Sequence, residues 1–66
     1  MSRTNPDNPP YITIAQLYGI WRVERMQWDS QQDSYLIARS IAVKSKAVAI
    51  LEAIEMAKRE GLEYRP

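Results

Sequence analysis

The chain has 66 residues, nine Lys and Arg against eight Asp and Glu, no cysteine and no histidine. That length allows one domain at most and buries only about 60% of the surface an unfolded chain exposes, so such a domain usually leans on a disulfide, a metal or a partner. The absence of cysteine excludes disulfides, the absence of histidine removes the commonest transition-metal ligand, and a net charge of +1 singles out no partner class.

Residues 1–10 carry three prolines, two asparagines and one aspartate, and read as a flexible or extended tail ahead of a single domain over residues 11–66. The segment is too polar for a signal peptide, and no apolar run approaches the roughly 18 residues of a membrane span; a cytoplasmic protein is expected. Tyr11 to Tyr18 reads as a strand or a short helix. Gly19 to Trp28 reads as a strand, with Trp21 and Val23 on one parity and Met26 and Trp28 on the other. A bulge near Glu24 and Arg25 would bring both pairs to one face. A rival reading takes Ile14, Leu17, Tyr18, Trp21 and Trp28 at helical spacing, as in a helix-turn-helix. The strand is preferred because Ile20 to Val23 is rich in β-formers and the polar run Asp29 to Ser34 has hairpin length. Tyr35 to Val43 lacks glycine and proline and completes the hairpin as a strand.

The C-terminal helix has the clearest ends. Ser45 is a good N-cap, and Gly61 stands where a left-handed C′ residue is wanted, with Leu62 after it. Between them Ala47, Ile50, Leu51, Ile54 and Ala57 form a stripe of helical period, which predicts the face that packs on the sheet.

The chemistry of catalysis is missing. Without histidine, Ser30, Ser34, Ser40 and Ser45 have no base to serve them, the helix glutamates read as solvated, and the two glycines are too far apart for a phosphate loop. Asp29 and Asp33 lack the remaining ligands of a calcium loop. No enzyme, cofactor or metal is expected. Trp21 and Trp28 read as core, with an exposed aromatic platform as the functional alternative.

Strict alternation along the hairpin's second strand puts Tyr35, Ile37, Arg39, Ile41 and Val43 on one large apolar face with an arginine in its middle, and small residues on the other. If the helix covers the small face, the large one stays open as an interface. If it covers the large face, Arg39 must be paired or marginal.

The combination Gly19-x-Trp21-x-Val23, a following strand, and Ser45-Lys46-x-x-Ala49 at the helix start resembles the arm-site-binding domain of phage-type integrases and certain short bacterial β-β-α proteins. The resemblance implies a sheet with one helix and, for the integrase type, contact with DNA. Those domains usually carry a more basic hairpin than Arg22, Arg25 and Arg39 supply.

The expected fold is α+β, a two- or three-stranded antiparallel sheet with one C-terminal helix on one face. The expected function is a small non-enzymatic interaction module, a homodimer or a binder of another protein, with Tyr35, Ile37, Arg39, Ile41 and Val43 as its interface. The alternative is a weak nucleic-acid binder using Arg22, Arg25, Arg39, Lys44 and Lys46 on phosphates, or a helix-turn-helix regulator.

Overall fold

The computed structural model describes residues 8–66. They form an α+β domain of a four-stranded mixed sheet with one helix packed on it. Strands β1 (Tyr11–Leu17), β2 (Ile20–Asp29) and β3 (Ser34–Val43) are antiparallel neighbours, as the hairpin reading expects. Helix α1 (Lys46–Glu60) follows, and the chain then returns as a two-residue strand β4 (Glu63–Tyr64) parallel to β1. The spatial order β3-β2-β1-β4 makes β3 and β4 the two edges. The fourth strand corrects the expected count; a stretch this short leaves no period to read. The helix-turn-helix reading also falls, because residues 11–29 are two strands. The tail ahead of residue 8 lies outside the described residues.

Local chemistry accounts for the connections. Tyr18 and Gly19 join β1 to β2, both at positive φ (52° and 77°), which a two-residue hairpin turn of matching twist requires. At the second hairpin, the Gln31 backbone N–H donates to Asp29 Oδ1 at 2.9 Å, and Asp33 takes the left-handed conformation. Ser45 caps α1, its hydroxyl accepting from Val48 N–H at 3.2 Å. At the other end Gly61 sits at φ 69°; its N–H donates to Lys58 C=O at 3.3 Å and that of Leu62 to Ala57 C=O at 2.8 Å, the paired bonds of a Schellman ending.

The packed face of the helix differs from the predicted one. Ala49, Ala53, Met56 and Ala57 are buried, whereas Leu51 is 65% exposed and Ala47 and Ile54 are also exposed. Both stripes keep a helical period and share Ala57, and they are rotated relative to one another. The alanine face wins because small side chains let the helix approach strands that supply Ile12, Ile14, Trp21 and Val23. Ile12 and Val23 are the largest fully buried side chains, so the core is thin. Leu62 and Tyr64 close its margin. The helix packs mainly over β1 and β2 and touches β3 least. No helix among the described residues is long and apolar enough to cross a membrane.

Candidate interaction site

One irregularity decides which β3 side chains share a face. Arg25 pairs with Arg39 but Met26 pairs with Ile37, so Ala38 is an extra residue on β3. The irregularity falls where the sequence suggests a bulge, but on the other strand, and β2 alternates through it. Trp21, Val23 and Arg25 therefore point to the helix side, and Met26 and Trp28 to the open side. The expected union of the two tryptophan pairs on one face does not form. Trp21 packs against the core, with the Lys46 ammonium 5.7 Å from its ring, while Trp28 lies across the sheet from the helix.

The same bulge splits the predicted interface. Arg39, Ile41 and Val43 lie on the helix side with their partners Arg25, Val23 and Trp21, while Tyr35 and Ile37 lie on the open side with Trp28 and Met26. On the open side Tyr35 is at the centre of an aromatic cluster. Its ring meets Tyr11 at 4.8 Å and Trp28 at 5.2 Å, both edge to face, and its hydroxyl donates to Pro9 C=O at 2.9 Å. Arg65 lies 4.4 Å over the Tyr11 ring and bonds Glu63 at 2.7 Å, a contact that raises the guanidinium above its ordinary range. The Trp28–Tyr35 pair was within reach of the sequence, since the two flank the polar turn symmetrically. Tyr11 joins them only through the β1–β2 register.

Helix coverage of the side that carries Arg39 resolves the question of the arginine, which is both paired and marginal. Arg25 and Arg39 are direct cross-strand partners, a repulsive arrangement. Glu60, at the end of α1, reaches between them: Oε1 is 3.4 Å from Arg25 Nε and Oε2 is 4.0 Å from Arg39 Nη1. The shorter contact is close enough for an ion pair but is not aligned as a hydrogen bond, and Arg25 Nε is buried without one. Arg39 remains 59% exposed by side chain. Glu60 was legible only as one more solvated helix glutamate; its role depends on which way the helix is turned.

The five cations considered for nucleic acid do not gather. Arg22, on the open side, donates through Nε to Ser40 Oγ at 2.8 Å; Arg25 and Arg39 are held by Glu60 beneath the helix end; Lys44 lies beyond β3, and Lys46 sits at the helix start. Buried Glu24 stands between Arg22 and Met26 on the open side. Among the described residues no group of three or more acidic, histidine or cysteine side chains could hold a metal ion.

What remains conspicuous is the β3 edge. It is ten residues long, every residue from Leu36 to Ala42 is exposed, and Arg39 is its one charged residue. Leu36, Ile37 and Ile41 are among the exposed large apolar side chains. No protein-family model, curated protein or solved structure matches this chain.

Proposed function

We propose that the chain is a non-enzymatic interaction module that associates with itself through the free edge of β3. The observation that supports this reading is the length of that edge with so little to protect it. An exposed strand offers a row of unpaired backbone N–H and C=O groups, and proteins that remain monomeric usually shorten, charge or cover such a strand. At the opposite edge, β4 is two residues long, holds Glu63, and is followed by Arg65 and Pro66. Among the described residues the Ala38 bulge is the only comparable device on β3, together with the single charge of Arg39.

The thin core supports the same reading. Among the described residues three of its six buried members are alanines, and a domain of this size gains from burying more surface in a partner. A second copy is the partner we assign, because pairing of like edges closes both at once. Nucleic-acid binding ranks below it. Dispersed cations with carboxylates among them release few counterions, which makes such binding weak and salt-sensitive.

Sedimentation of the purified chain at tens of micromolar tests the proposal. A dimer is expected, converted to a folded monomer by Ile41→Lys, which adds a charge at an already exposed edge position. A clean monomer for the unaltered chain, with salt-dependent DNA binding lost in Arg39→Ala, would overturn it in favour of the nucleic-acid reading.

A further inference from the structure

We infer that the second copy docks antiparallel on the run Arg39–Val43, with Ile41 on the twofold axis, so that one continuous sheet carries both helices on the same side. This rests on the self-association reading and adds the register.

The bulge divides the edge. Ser34–Ile37 lies on the turn side of Ala38 and Arg39–Val43 on the helix side, and a regular ladder cannot run through the extra residue. The turn-side run is the shorter one, and its Tyr35 is already engaged with Tyr11, Trp28 and Pro9. The five-residue run is uninterrupted, since its pairing with β2 keeps one register from Arg25–Arg39 to Trp21–Val43.

Within that run, charge and shape select the centre. A ladder centred on Arg39 would oppose the two Arg39 side chains and draw Ala38 into the pairing. Centring on Ser40 sets Ala38 against Ala42, while centring on Ala42 brings in Lys44. Only Ile41 at the centre uses all five residues and none beyond them. It sets Ile41 against Ile41 and Arg39 against Val43 on the helix side, and Ser40 against Ala42 on the open side. The two Arg39 side chains are then four residues apart along the ladder, roughly 13 Å at about 3.3 Å per residue. Each keeps its own Glu60. The small side chains of Ser40 and Ala42 let the open side continue flat across the joint. The axis runs normal to the sheet, because antiparallel pairing in the plane of a sheet preserves its faces.

The absence of native cysteine makes the register directly readable. Paired positions on antiparallel strands have Cα atoms about 4.5–5.5 Å apart, within the range a disulfide spans. Under mild oxidation of the full chain, Ile41→Cys is expected to form a covalent dimer on the order of tenfold faster than Ile37→Cys, whose residue is off the axis and beyond the bulge. An equimolar mixture of Ser40→Cys and Ala42→Cys chains is expected to cross-link faster than either alone. All four positions are exposed, and a melting curve for each variant checks that the fold is kept. Sedimentation as a dimer with no preference for Ile41→Cys, or a preference for Ile37→Cys, would overturn this register while leaving self-association standing. Sedimentation of every variant and of the unaltered chain as a monomer would overturn both.

Discussion

Strands β2 and β3 are equally long, both rich in apolar residues, and paired over most of their length, but burial separates them sharply. Val23 and Ile41 are direct partners on the same face, and Val23 is 1% exposed while Ile41 is 36% exposed. The difference comes from position in the sheet. β2 has a strand on each side and the helix above, whereas among the described residues β3 has one neighbouring strand and only the margin of the helix. Hydrophobicity along a strand therefore states what it is able to bury, and strand order determines what it does bury. The apolar residues left over on β3, Leu36, Ile37 and Ile41 among them, are what the proposed self-association would bury.

The largest expected effect tests that division directly. Ile12→Ala removes a fully buried side chain beside β2 and is expected to cost about 2–5 kcal/mol, enough to abolish the melting transition of a small domain. Ile41→Ala, measured at submicromolar concentration where association is weak, is expected to cost under about 1 kcal/mol. Thermal or urea melts of the two variants check this. Equal losses would mean that β3 is as much core as β2.

Next in size is the helix, where the contrast between packed and open sides repeats. Ala53→Leu forces a larger side chain against the sheet and is expected to cost about 1–3 kcal/mol. Leu51→Ala, on the exposed side, is expected to stay within about 0.5 kcal/mol. Denaturant midpoints at constant m-value separate them. Reversal of the two would restore the stripe of Ile50, Leu51 and Ile54 as the packing face.

These contrasts show what the sequence made legible. The ends of α1 could be read because each rests on a single residue with a local job: the Ser45 hydroxyl and the left-handed Gly61. The hairpin could be read because β-formers flank a polar turn. The face of α1 could not, since Ala49, Ala53 and Ala57 recur at the same period as the larger residues, and the choice depends on the bulk supplied by the sheet. Nor could the way Tyr35, Ile37, Arg39, Ile41 and Val43 divide between the two faces, because the extra Ala38 reverses the parity of everything on its far side. Residues 34–43 offer no glycine to mark it. Any site that spans a bulge inherits this ambiguity, since a one-residue slip moves each side chain to the other face.

A smaller effect is expected where the helix end holds β3 to β2. Glu60→Gln removes the carboxylate between Arg25 and Arg39 and leaves two cations opposed. The cost is expected to be about 0.5–1 kcal/mol, limited by the exposure of Arg39, and to shrink in about 1 M salt, where the repulsion is screened. Urea melts at low and high salt check it. A loss independent of salt would mean that Glu60 acts through packing instead.

The smallest expected effect concerns the far end of β3, near the turn. There Tyr35 links it beyond β2 twice, through its ring to Tyr11 and through its hydroxyl, which donates to Pro9 C=O at 2.9 Å. Tyr35→Phe keeps the ring contacts with Tyr11 and Trp28 and deletes that bond together with the hydroxyl's weaker contact with the Arg65 guanidinium, so a loss of about 0.5–1 kcal/mol is expected. Removal of residues 1–9 deletes the acceptor and is expected to leave the fold intact, because so polar a segment has little apolar surface to offset the entropy of ordering it. The two changes share one interaction and should not add. In the shortened chain Tyr35→Phe is expected to cost less than in the full chain, and the coupling from a double-mutant cycle should account for most of the single loss. Additive losses would show that the hydroxyl acts elsewhere. Loss of the melting transition on truncation would mean that the segment before β1 belongs to the fold, and that β3 is anchored at this end more firmly than a single hydrogen bond allows.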